Sequence, residues 1–233
     1  MTHADAPLRL VVFDVDGTLI DGQAQHGTAM AAAFSSVGLP VPPRERSRAL
    51  IGVSLPETMR RLAPEQPEEV VQALDAAYRR ASVAEREAGR GEAASPLYPG
   101  AREAVLHLAA RDEVLLGVAT GKARRGLAHA LQVHGLEGRF QTLQTADTHP
   151  SKPHPSMLLE ALGETGVEAR HAVMVGDTTF DMEMARGAGM TAIGVAWGYH
   201  PVERLRQAGA AAVIEHFDEL DAALEALWGA RAA

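Results

Sequence analysis

The sequence predicts a doubly wound parallel α/β core with an all-helical segment inserted after its first strand. Three observations predict it. Short apolar runs recur without polar alternation, as strands buried on both faces require. Helix-periodic stretches separate those runs, the pattern of strand-helix-strand units. From about Asp21 to Leu97 the alternation stops, and only helical stretches appear between prolines.

The first run, Leu8 to Phe13 (LRLVVF), is β-branched and apolar and stops at Asp14. Gln25 to Val37, Leu55 to Leu62 and Glu68 to Ala88 then read as helices, broken up by prolines 40, 42, 43, 56, 64 and 67. Prolines 96 and 99 mark the end of this interval, and the main pattern resumes near Pro99-Gly100. The expected division is therefore a core of residues 1–19 and 98–233 and a helical insertion of residues 20–97. Further strands are expected at Val114 to Ala119, Phe140 to Thr145 (the weakest), Ala172 to Val175, Thr191 to Val195 and Ala211 to Ile214. Between them, helices are expected at Ala101 to Arg111, Arg124 to His134, Pro155 to Gly166, Phe180 to Ala188 and Val202 to Ala208. Gly135, Gly166 and Gly189 stand where helix C-caps belong. Asp218 to Trp228 reads as a closing amphipathic helix.

At 233 residues, 46% hydrophobic and 22% charged, the chain has the composition of an ordered globular protein. A net charge of -8 disfavours nucleic acid and anionic membranes as partners. There is no cysteine, which excludes disulfides, thiolate catalysis and cysteine-ligated zinc. Met1 to Pro7 carries no apolar leader and no run is long enough to span a membrane, so the cytoplasm is the expected compartment. Only two lysines occur, Lys122 and Lys152.

In open α/β sheets, ligands bind beyond the carboxyl ends of the strands. Asp14-Val15-Asp16-Gly17-Thr18-Leu19 follows the first strand, and Thr120-Gly121-Lys122 follows the second. Ser151-Lys152-Pro153-His154-Pro155 precedes the fourth, and Gly176-Asp177-Thr178-Thr179-Phe180-Asp181 follows it. These residue types suit phosphoryl transfer, where positioning and charge neutralisation supply most of the catalysis. Asp14, at the end of a rigid strand, can be a nucleophile. Asp16 can serve as general acid and base once Gly17 turns the backbone. Asp177 adds a carboxylate for a hard cation such as Mg²⁺. Lys152, stiffened by Pro153 and Pro155, offers positive charge to phosphate oxygens. Thr120 offers a hydroxyl, with Gly121 and a helix N-terminus behind it.

Plainer readings stand beside these. Asp14 alone is as readily a turn or cap residue, and Asp181 sits where acids serve the helix dipole. Thr178 and Thr179 are N-cap candidates. Lys122 reads as a solvated helix-start residue, and Met182 and Met184 as packing. His149, His154 and His200 fall in loops and read as surface residues. Trp197 to His200 could rim a site, although packing is the simpler reading. Arg60 and Arg61 read as a solvated face.

The ordered set DVDGTL (14–19), ATGK (119–122), SKPHP (151–155) and GDTTFD (176–181) resembles the haloacid dehalogenase-like hydrolase superfamily, and its phosphoglycolate-phosphatase-like branch in particular. The resemblance implies a Rossmann-like core whose helical cap is the insertion at 20–97. It implies that Asp14 is nucleophile and Mg²⁺ ligand, and that Asp16 is general acid/base and metal ligand through its carbonyl. Thr120, Gly121 and Lys152 would hold phosphate, Asp177 would bind the metal, and Asp181 would support the metal and Lys152. The implied reaction is hydrolysis of a small phosphorylated metabolite, 2-phosphoglycolate first, by a monomer or homodimer. Dehalogenases lack the second aspartate, present here as Asp16, and phosphonatases need a cap lysine, absent here. Pyrophosphatase, nucleotidase and phosphosugar mutase activities, and phospho-ligand binding without turnover, are the alternatives.

Overall fold

A computed structural model describes residues 7–88 and 95–232; the leader reading of the first six residues lies outside them. Six strands form one parallel sheet: β1 (Arg9–Phe13), β2 (Val114–Thr120), β3 (Thr142–Thr145), β4 (Ala172–Gly176), β5 (Thr191–Val195) and β6 (Ala212–Ile214). Their spatial order is β3-β2-β1-β4-β5-β6. The chain therefore winds outward from β1 in both directions, and the crevice beyond β1 is the switch point where α/β sheets bind ligands.

The strands are apolar throughout because both faces are covered. In β1, Val11 and Phe13 enter a core with α5 (Ala101–Ala109), α6 (Arg124–Val133) and α10 (Leu220–Ala232). Leu10 and Val12 face the other way, onto α7 (Ser156–Thr165), α8 (Thr179–Gly187) and α9 (Val202–Ala208). Met182 and Met184 pack in this second core. Gly135, Gly166 and Gly189 each take the positive φ expected just beyond a helix.

Between β1 and α5 lie α1 (Gln23–Ser36), α2 (Arg44–Arg48), α3 (Leu55–Leu62) and α4 (Glu68–Glu87). The sequence reading lacks α2, a single turn-and-a-half of polar residues after Pro42-Pro43 with no apolar period to show it. Met30, Phe34, Met59, Leu62, Val71 and Leu74 give these helices a core of their own. The chain leaves and returns side by side: Ile20 bridges Leu97, Tyr98 N donates to Leu19 O (2.9 Å) and Asp21 N donates to Pro96 O (2.8 Å). Among the described residues, no helix is long and apolar enough to cross a membrane.

Candidate active site

β1 ends at Phe13, and Asp14 N donates to the carbonyl of Val175 on β4 (2.9 Å), which fixes the residue at the centre of the switch point. Its carboxylate is fully buried. Lys152 arrives from the loop before α7, also buried, with Nζ 2.9 Å from Asp14 Oδ1 and 2.7 Å from Asp181 Oδ1. The Asp14 contact is an ion pair that lies off the direction of a hydrogen bond. Neither Asp14 oxygen has a hydrogen-bond partner among the described residues. Such an orphaned buried acceptor is costly unless something fills the place.

Asp177, directly after β4, is held more completely. Oδ1 accepts from Thr18 Oγ1 (3.2 Å) and Oδ2 from Tyr199 N (2.8 Å). Two glycines let backbone close over it. A Cβ at Gly17, where φ is +88°, would fall 2.2 Å from Asp177 Oδ2, and one at Gly198 would fall 2.1 Å from Asp177 Cβ. Asp181 serves two ends at once. Oδ2 accepts from Thr178 N (3.0 Å) and Thr178 Oγ1 (2.7 Å), closing the capping box of α8, while Oδ1 takes Lys152 (2.7 Å). Its structural and site roles coexist, and Thr178 rather than Thr179 is the cap.

Asp14, Asp177 and Asp181 bring carboxylate oxygens within 4.8 Å of one another. Burial raises the Asp14 pKa to about 7; Lys152 opposes this, and the charges of Asp181 and Asp16 add to it. Asp177 is pushed up likewise, first by burial and then by Asp181 and Asp14. Burial alone would lower the Lys152 ammonium, but Asp14 and Asp181 hold it above its ordinary value. Three acids against one ammonium leave the pocket short of positive charge. Hard oxygen donors, an orphaned carboxylate and excess negative charge fit a small divalent cation.

Thr120 ends β2, buried, and its Oγ1 accepts from Lys122 N (3.2 Å), which leaves its own O–H free to donate. The helix behind it opens only at Arg124, and the Arg124 N–H is already taken by Asp147 Oδ2 (2.5 Å). That one amide is therefore not open to a phosphate. Gly121 is instead a contact point: a Cβ there would lie 2.6 Å from Gly52 O and 2.7 Å from Val53 O, in the turn between α2 and α3. Gly52 in turn approaches Asp14, its added Cβ falling 3.8 Å from Oδ2.

Two readings from sequence are corrected. Lys122 is not merely solvated, because Nζ sits 2.7 Å from the Asp16 carboxylate. His200 is buried rather than a surface loop residue. Its Nδ1 accepts from Thr179 N (3.1 Å), so Nε2 carries the proton and donates to Ala49 O (3.1 Å). Arg48 Nη2 donates to Gly198 O (3.1 Å) and Ser54 N donates to Ser151 Oγ (2.9 Å), so the α2–α3 segment is tied to the core at three places. Tyr199 rims the site through its N–H to Asp177, while Trp197 packs on Phe217 and Tyr98. His149 bonds Gln144 and Ser156, and Arg60 and Arg61 form exposed ion pairs. None of these contacts leaves a periodic signal, and the glycines that face aspartate are their only trace in the sequence.

The family model of haloacid dehalogenase-like hydrolases matches residues 11–195, which include all four motif stretches. The chain belongs to that family. It is 36% identical over 222 residues to the probable phosphatase IndB of Dickeya dadantii, with 94% of each chain covered. It is 28% identical over 213 residues to a phosphoglycolate phosphatase of Pseudomonas savastanoi pv. phaseolicola, covering 91% of this chain and 78% of that one. Among solved structures, a hydrolase from Pseudomonas syringae superposes with a TM-score of 0.79 at 25% identity, covering 91% of this chain and 96% of that one.

Proposed function

We propose that this hydrolase is a magnesium-dependent phosphatase of small phosphate monoesters, working through an aspartyl-phosphate on Asp14 in the cytoplasm as a monomer or homodimer. The observation that carries the reading is Asp14 itself: a fully buried carboxylate with no hydrogen-bond partner among the described residues, beside an equally buried ammonium. A structural aspartate is not left in that state. A nucleophile is, because the lone pair must face the phosphorus.

Asp14 and Asp177, with the Asp16 carbonyl, would hold Mg²⁺, which neutralises phosphate charge when bound. Asp14 attacks phosphorus while Asp16 protonates the departing alkoxide. Asp16 then takes a proton from the water that cleaves the acyl phosphate. Lys152 stands against the phosphate oxygens, positioned by Asp181, and the Thr120 hydroxyl and Gly121 N–H complete the cradle. Residues 20–97 act as a cap whose α2–α3 turn, docked through Gly52, Ala49 and Ser54, keeps bulk water from the intermediate. Among simple metabolites 2-phosphoglycolate is the first to test, a choice supported by the phosphoglycolate phosphatases among the relatives.

The test is phosphate release by the purified protein with Mg²⁺ from 2-phosphoglycolate, p-nitrophenyl phosphate, pyrophosphate, nucleoside monophosphates and hexose phosphates. Turnover of monoesters that disappears in Asp14→Asn is expected. Activity that survives in that variant would refute the aspartyl-phosphate route.

A further inference from the structure

Between the insertion and the core lies a cavity of about 340 Å³ that begins at Asp16 and Lys122 and runs along α4. Clefts of about 300–1,000 Å³ accommodate whole organic ligands, and the two-carbon glycolate would leave most of this one unfilled. Its long wall is one face of α4: Tyr78, Ser82 and Arg86 follow at helical spacing. His26 of α1 joins them, its Nδ1 on Tyr78 Oη (2.9 Å) and its buried Nε2 without a hydrogen-bond partner among the described residues.

The cations of this cavity divide into two kinds. Lys122 is occupied by Asp16, and Arg79 is held by Asp75 through two contacts of 2.8 and 3.2 Å. Arg86 and Arg125 have no ion-pair partner among the described residues, yet both line the cavity and lie close enough to repel each other. The one other acid on the wall besides Asp16, Asp147, accepts the Arg124 N–H. Two unpaired guanidiniums beside each other gain from a shared anion, which they hold through charge-assisted, forked hydrogen bonds.

We propose that Arg86 and Arg125 form a subsite for a second anionic group on the substrate, carried by a leaving alcohol longer than glycolate. This rests on the phosphatase reading, since it places the ester oxygen at Asp16 and the second anion against Arg86 and Arg125 on the wall of the same cavity. Phosphoglycolate has the second anion but fills little of that cavity.

The experiment compares kcat/KM for 4-phosphooxybutanoate, butane-1,4-diyl bisphosphate, uncharged-tail pentyl phosphate and 2-phosphoglycolate with the whole chain and Mg²⁺. The wild type should prefer the long acid to pentyl phosphate by at least ~10-fold, the scale of one charge-assisted hydrogen bond. The bisphosphate tells whether carboxylate or phosphate is the better second anion. In Arg86→Gln/Arg125→Gln, with folding checked by circular dichroism, the long-acid preference should collapse to about 1. No preference in the wild type, a preference that survives the double variant, or 2-phosphoglycolate outrunning the long acid would each overturn the subsite. No turnover of any ester would instead sink the phosphatase reading beneath it.

Discussion

Lys152 reaches Asp14 at the crevice above β1, Nζ to Oδ1 2.9 Å, with both side chains withdrawn from solvent. A buried ion pair of this kind costs about as much in desolvation as its attraction returns, so stability alone does not explain it. Its chemistry does: the ammonium lies against the one carboxylate that keeps an oxygen open. The remaining charge in the pocket is negative, from Asp177 and Asp181.

Lys152→Met should therefore fail on two counts. The rate should fall by ~10²-fold or more, the scale of removing a preorganised charge from a transition state. Unfolding by urea in the presence of chelator should show a loss of about 3–5 kcal/mol near pH 8, because breaking a buried pair strands its partners. The loss should shrink as pH falls toward 7, because Asp14, raised by burial to about 7 even beside the ammonium, takes a proton more readily once the ammonium is gone. A variant with kcat within fivefold of the wild type would remove Lys152 from the mechanism.

Asp14→Asn should abolish turnover and, in chelator, stabilise the fold. The Asp14 pKa is raised by burial from 3.8 to about 7. The folded state thus binds a proton that the unfolded state releases, and stability tied to that proton is lost as pH rises through this window. The melting-temperature advantage of the variant should grow between about pH 4 and pH 7 and then level off. An advantage that is largest at pH 4 would contradict the burial argument.

Much of this is legible in the sequence because it depends on local rules. β1, β2 and β4 each stop at or just before a candidate site residue, so Asp14, Thr120 and Asp177 can be placed from apolar run lengths. Asp181 at the third position of α8 is legible as a first-turn acid, whereas its bond to Lys152 is implied only by the family resemblance. The hidden part depends on long-range docking. The bond from His200 to Ala49 joins a loop after β5 to the end of a helix too short and polar to leave a period. Lys122 has the look of an ordinary helix start because its partner, Asp16, lies on another strand end.

Asp16→Asn should be judged by leaving group. As general acid it contributes ~10²–10⁴-fold when the alkoxide is a poor leaving group, and far less when the leaving group is p-nitrophenolate. The kcat ratio of alkyl to p-nitrophenyl phosphate should therefore fall by at least ~10-fold in the variant. An unchanged ratio would assign the proton to another group.

Chelation should silence the wild type, and Mg²⁺ should restore it. Ca²⁺ should bind without restoring turnover, since it prefers more oxygens and looser geometry than this compact set provides. Binding should also raise the melting temperature, because a dication offsets the burial, and relieves the repulsion, that push Asp14 and Asp177 upward. Full activity in excess chelator would dismiss the metal.

Gly121→Ala tests whether closure of the α2–α3 turn matters to chemistry. Its φ is not in the left-handed region, so alanine is acceptable to the local backbone, but the new methyl would meet Gly52 O at 2.6 Å and Val53 O at 2.7 Å. Backbone atoms cannot rotate away as a side chain would, so the turn must lift from the core. Gly52, whose added Cβ would fall 3.8 Å from Asp14 Oδ2, lifts with it. A displacement of about 1 Å is enough to cost ~10²-fold in rate when it misplaces a reacting group. The expected result is a kcat/KM lower by ~10–100-fold, faster amide exchange across residues 49–54, and little change in melting temperature. Gly163→Ala in α7 is the control: its methyl meets nothing within 4 Å, and it should stabilise the helix by about 1 kcal/mol with unaltered kinetics. If Gly121→Ala matched that control in kinetics and exchange, the docked turn would be a packing contact and the site would work open.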